Sequence, residues 1–250
     1  MNRKSDLPAS EENSHSDEES ESIASVEVRA HLEDVASDHR SFGDALTARG
    51  FLDEAEESFR AALTIDEEHG FEEGAAGDYA NLGDVHQSRE QVDEADEFYR
   101  KALSIFEKLG HKEGVASQYG NLGTICSMRG DQEEAEKMYR AALTMNEELG
   151  RKEGIASQYG NLGIVYRIRG DLNQAEAMQL KSLAILKELG DDFGVAAISL
   201  NIARVQLEKG DKIAGCATLM KAKQLSQEIG AQECLDVVSQ LIEAYGCDDC

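Results

Sequence analysis

Between residues 118 and 128, Tyr119, Leu122, Gly123 and Cys126 form an apolar or small stripe. Spacings of three residues (119 to 122, 123 to 126) and four (119 to 123, 122 to 126) place them on one face of an α-helix. A second stripe, Ala135, Met138, Tyr139, Ala142 and Leu143, has the same period and stops at Gly150. Between the stripes, Gly130 supplies a left-handed residue to end the first helix, and Asp131 with Glu134 three residues on forms a capping box for the second. The pattern predicts a hairpin of two helices.

The hairpin recurs. Residues 118–123 read Gln-Tyr-Gly-Asn-Leu-Gly and return letter for letter at 158–163, an offset of 40 residues. At that offset upstream stand Leu82, Gly83, Ala95, Tyr99 and Ala102, and before them Phe42, Gly43, Ala55, Phe59 and Ala62. Downstream the pattern continues at Leu162, Gly163 and Ala175, then loosens to Gln179 and Ser182, and finally to Ile202, Ala203, Gly215, Leu219 and Ala222. Glycines 70, 110, 150, 190 and 230 end the second helices. Glu90 stands where the other units carry Gly50, Gly130, Gly170 and Gly210, so the first turn of unit two is expected to close differently. A lone hairpin leaves its apolar stripe wet and must stack on its neighbours. The small residues are read as letting the paired helices approach, with Tyr and Leu filling the sides.

This skeleton, with ASQYGNLG, RGD, AEKMYRAAL and ELGRKEG as its text, resembles the tetratricopeptide repeat (TPR) lengthened to 40 residues, and within that family the Pins-type (Leu-Gly-Asn) and kinesin-light-chain arrays. The resemblance implies an all-α, right-handed α-solenoid of about five hairpins, at residues 36–75, 76–115, 116–155, 156–195 and 196–235. A leading helix at 23–35 precedes them. A capping helix at 233–245, with Leu235, Val238, Leu241 and Ile242 at helical spacing, covers the last unit, and residues 246–250 form a flexible end.

Composition fits a helical array. Pro8 is the only proline and Trp is absent. No run of about 18 apolar residues suggests a membrane span, and the N-terminal segment lacks the apolar stretch of a secretory signal. Fifty acidic against 25 basic residues give a net charge of −25, which repels nucleic-acid phosphates and anionic membranes. Residues 1–22, with seven acidic and two basic side chains and few large apolar ones, are expected to be a disordered tail. Five cysteines without a signal segment are read as reduced thiols in a cytoplasmic protein.

In the family the first helices line a concave groove. The resemblance therefore points to Asn81, Asn121, Asn161 and Asn201, a ladder whose amides suit an extended peptide backbone. Gly77, Ala80, Ser117, Gly120, Ser157 and Gly160 beside them would leave room for the ligand. Arg40, Arg167 and Arg204 are expected to face the same groove and to suit a partner's carboxylate. The family's carboxylate clamp for chaperone tails is not matched: Arg40 and Asn81 fit, but Asp44, Ser117 and Asn121 do not. A second ladder, Arg49, Arg89, Arg129, Arg169 and Lys209, lies in the last turns of first helices, where the helix dipole favours a cation, and is read as structural.

At the junctions between units, Phe59/Tyr79, Tyr99/Tyr119 and Tyr139/Tyr159 form aromatic pairs, replaced at the fourth by Gln179/Ser199, for which a direct polar contact or a softer joint is expected. No phosphate loop, zinc-protease motif or nucleophile elbow occurs, and no catalytic residue or cofactor is assigned. The expected function is a non-catalytic protein–protein interaction scaffold that binds a peptide of a partner protein. Two alternatives are an acidic tail occupying the groove as a regulatory switch, and a thiol redox or metal module at Cys247 and Cys250.

Overall fold

The computed structural model describes residues 12–247, with side chains from Val26 onward. Residues 1–11 of the expected tail fall outside the described residues, as does Cys250. Residues 12–22 are helical rather than disordered, and they run without a break through the expected leading helix into the first helix of unit one. Eleven helices and no strands occupy the described residues: α1 (Glu12–Thr47), α2 (Leu52–His69), α3 (Glu72–Ser88), α4 (Val92–Leu109), α5 (Lys112–Met128), α6 (Gln132–Leu149), α7 (Lys152–Ile168), α8 (Leu172–Leu189), α9 (Asp192–Glu208), α10 (Lys212–Ile229) and α11 (Gln232–Tyr245). The protein is all-α, as its periodicity predicts. None of these helices is long and apolar enough to cross a membrane.

The chain forms two compact units, one ending at Glu90 and the other beginning at Gln91. In the first, α2 packs against α1 and α3. In the second, consecutive helices from α4 to α11 pack in turn, and α7 also touches α5 and α9.

The turns follow the sequence closely. At the end of α6 the Arg151 N–H donates to the Asn146 carbonyl (2.9 Å) and Gly150 sits at φ 69°, a Schellman closure. The turn after α5 closes the same way, through Gly130 and the Asp131 N–H to the Cys126 carbonyl (2.9 Å). Asp131 then caps α6, accepting from the Glu134 N–H at 3.1 Å. The reciprocal half of the capping box is missing, because the Glu134 carboxylate pairs with Lys137 instead (2.8 Å). Glu90 corrects an expectation. Its turn does not close differently: the backbone enters the same left-handed region, at φ 59°, without a glycine.

Each core is shared between successive hairpins. Leu122 and Ile125 of α5 pack on Ala95 and Tyr99 of α4, and Leu162 and Val165 of α7 pack on Ala135 and Tyr139 of α6. Phe42 departs from this rule and is 60% exposed, while its counterpart Leu82 is fully buried. No second helix precedes α1 among the described residues, so Phe42 has nothing to pack on. The glycine that recurs in the first helices has a more local role than drawing helix axes together. A Cβ on Gly123 would lie 2.7 Å from the Tyr139 ring, so its absence seats that ring.

The cation ladder is structural. Arg129 pairs with Asp93 at 2.7 Å and Asp96 at 3.5 Å, Lys209 with Glu176 at 2.7 Å, and Arg169 with Glu136. In the first unit, Arg89 binds Glu56, Asp53 (2.6 Å) and the Leu52 carbonyl (2.9 Å). Each cation thus ties the end of a first helix to an acid near the start of the preceding second helix. Arg49 instead lies over the Phe51 ring at 5.0 Å.

At the fourth junction no Gln179–Ser199 contact forms. Gln179 is buried and donates to the Gly160 carbonyl at 3.0 Å, filling the site used elsewhere by the aromatic ring, while Ser199 donates to Val195 of its own helix at 2.6 Å. At the C-terminal end α11 supplies Cys234, Val238 and Ile242 to a core with Leu219 and Ala222. There the expectation of reduced thiols is overturned: Cys216 and Cys247 form a disulfide, with Cα atoms 5.4 Å apart. Gly246, at φ 61°, turns the chain back after α11 and brings residue 247 to α10. Spacing along the chain carries no sign of this approach.

Candidate functional site

In the second unit α5, α7 and α9 are the first helices of three successive hairpins, and α7 touches the other two. Two concavities open along them. One, of about 420 Å³, is lined by Asn121, Thr124, Asn146, Glu153, Gln158 and Asn161, among others. The next, of about 540 Å³, includes Asn161, Ile164, Ser182, Phe193, Ile198 and Asn201. Glu153, Ser157 and Asn161 line both.

Three of the four ladder asparagines, Asn121, Asn161 and Asn201, are therefore lining residues, and each is half-buried. Asn81 is also half-buried, on α3 of the first unit. Among the small residues, a Cβ on Gly77 would meet nothing within 4 Å, whereas Gly120 and Gly160 have a packing part as well. Cβ atoms on Gly120 and Gly160 would lie 3.0 Å from Gln158 Nε2 and Ile198 Cδ1, so both glycines seat a side chain of the next first helix.

The arginines divide. Arg167 pairs with Glu208 at 2.9 Å. Arg204 is half-buried on α9. Arg40 is committed inside the first unit, 2.7 Å from Asp66 and 3.5 Å from Asp78, two carboxylates that are almost wholly buried. Burial, with Asp66 alongside and Arg40 only partly offsetting, pushes the Asp78 carboxyl up to about 8.

The two concavities are built from equivalent positions one repeat apart but differ in chemistry. Asn146, Glu153 and Gln158 on the first become Leu186, Phe193 and Ile198 on the second. These residues were passed over in the sequence, although the signal was present: at 193 and 198 the repeat's usual Glu and Gln give way to Phe and Ile. Phe193 is 55% exposed. On the polar side, Asn146 Nδ2 donates to the Ala142 carbonyl (2.9 Å), but Asn146 Oδ1 and Gln158 Oε1 are buried without a hydrogen-bond partner among the described residues. The same holds for Ser182 Oγ on the apolar side.

No set of three or more His, Cys, Asp or Glu side chains placed to hold a metal occurs among the described residues. Cys247 is spent in its disulfide. The free Cys126 and Cys234 thiols are pushed up by burial, which disfavours the reactive thiolate.

No curated protein sequence matches this chain. Among solved structures, BtubC (BKLC) from P. vanneervenii is 26% identical, with a TM-score of 0.68 over 87% of this chain and 89% of that one. The TPR-like repeats of a putative kinesin light chain from Podosopora anserina are 17% identical, TM-score 0.61, over 80% and 98%. NprR in complex with its cognate peptide NprX is 18% identical, TM-score 0.71, over 84% of this chain and 61% of that one. The tetratricopeptide repeat pattern matches residues 75–148 and 154–213, and the chain belongs to that family.

Proposed function

We propose that this protein is a non-catalytic scaffold that holds an extended peptide segment of a partner protein along the first helices α5, α7 and α9. The observation that carries this reading is the alignment of Asn121, Asn161 and Asn201 along two adjoining concavities. A side-chain amide both donates and accepts, so amides spaced along a groove can pair with a peptide backbone whatever its sequence. The fold shared with NprR, whose structure holds a cognate peptide, supports the same reading. The resemblance to Pins-type arrays belongs here too, as a suggestion that the partner is part of a regulatory assembly. Nucleic acid is an unsuitable partner for a chain of net charge −25.

An acidic tail held in the groove finds less support, because Glu208 already neutralises Arg167. The test of the main reading is affinity capture with the native chain and an Asn121→Ala/Asn161→Ala double variant of unchanged helical content. Partners lost only with the variant bear the reading out; identical partner sets refute it.

A further inference from the structure

The two concavities differ in a way that specifies a ligand. We infer that the groove selects a peptide carrying an Arg or Lys side chain for the α5–α7 concavity and a large apolar side chain for the α7–α9 concavity. This rests on the peptide-groove reading above and adds the chemistry of the peptide.

The cation preference comes from unmet acceptors. Asn146 and Gln158 are 2% and 6% exposed, and each leaves a carbonyl oxygen without a donor. A buried acceptor left unpaired keeps a desolvation cost that an arriving donor removes. The last torsion of Gln is soft, so its amide can turn towards the concavity it lines once a donor arrives. Glu153 adds a carboxylate that borders both concavities and forms no ion pair among the described residues. The basic residue nearby, Arg151, is neutralised by Glu113 at 2.8 Å, and Lys152 by Glu188 at 2.6 Å. A ligand rich in N–H donors and positively charged, a guanidinium above all, satisfies these groups together.

The apolar preference comes from the same positions one repeat on. Leu186, Phe193 and Ile198 replace the three polar residues, and Ile164 replaces Thr124. Phe193 is more than half exposed at the mouth, so a bound side chain removes apolar surface from water on both partners. In an extended peptide, alternate side chains share a face, so the basic and apolar residues are separated by an even number of positions.

The test is selection of random dodecapeptides displayed on phage against the full chain, followed by affinity measurement on the enriched sequences. Enrichment of Arg or Lys at an even spacing from Phe, Leu, Ile or Met is expected. Glu153→Gln and Phe193→Ala should each weaken those peptides about tenfold. Asn161→Ala should weaken every groove peptide, whatever its side chains. If enriched peptides respond to Asn161→Ala but lack the basic residue, or are indifferent to Glu153→Gln, this inference falls while the groove reading stands. If no enriched peptide responds to Asn161→Ala, the groove reading falls with it.

Discussion

Glu90 holds the left-handed backbone that glycine holds in the other units. A side chain in that region is strained because its Cβ crowds the following carbonyl. Glu90→Gly relieves this, offset in part by the greater freedom of glycine in the unfolded chain. We expect a net gain of about 0.5–1 kcal/mol, read as a higher urea midpoint at unchanged slope; a lower midpoint would show that the Glu90 side chain makes a compensating contact. Asp78 is the other residue under stress. Its carboxyl is raised to about 8 by burial, so the folded state keeps a proton that the unfolded state releases near the usual carboxylate value. Stability from this group is therefore present at low pH and is lost as pH rises towards 8. Asp78→Asn imitates the protonated form beside Asp66 and Arg40. It should change the melting temperature little at pH 4 and raise it progressively from there, most at pH 9.

At the scale of helices, the disulfide sets the strongest expectation. Cys216 lies in the second turn of α10 and Cys247 just beyond α11, so the bond closes a segment with a sequence separation of 31 around the cap. A loop of that size contributes about 3–4 kcal/mol in the chain-entropy picture. Cys247→Ala should speed amide exchange in α11 and leave α5 to α8 unchanged, and a non-reducing peptide map checks the bond itself. The helices and their ends were legible in the sequence, because periodicity, Gly150 and Asp131 act through near neighbours. The disulfide was not, since it depends on where Gly246 redirects the chain. Gln179 was misread for a similar reason: the sequence paired it with Ser199 by repeat position, whereas its reach and burial take it to a carbonyl of α7. The asparagine ladder was visible as a periodic letter. The polar-to-apolar change between the two concavities was equally visible as letters but not as a wall, because Leu186 stands near the end of α8 and Phe193 and Ile198 on α9, and they share a lining only once those helices pack.

Over the whole molecule, a repeat array is stabilised locally, each hairpin by its neighbours, so a stress applied at one place need not spread. The two compact units carry different electrostatic stresses. In the first, the alkaline side is exposed through Asp78. In the second, Glu136 accepts from Tyr166 at 2.6 Å and from Arg140 and Arg169, and these bonds hold its carboxyl below the ordinary value. Such a group stabilises at neutral pH and is lost only as pH falls through its lowered value, so it has no alkaline liability. Raising pH from 6 to 9 should then loosen α1 to α3 while leaving α5 to α8 as they were. Amide exchange, corrected for the intrinsic effect of pH, reads this helix by helix. The loss in the first unit should approach a limit of about 1.4 kcal/mol per pH unit up to pH 8 and level off beyond. In the Asp78→Asn variant the two units should respond alike. Uniform loosening of both units in the native chain would mean that stability is shared along the array and that the buried carboxylate does not set the alkaline limit.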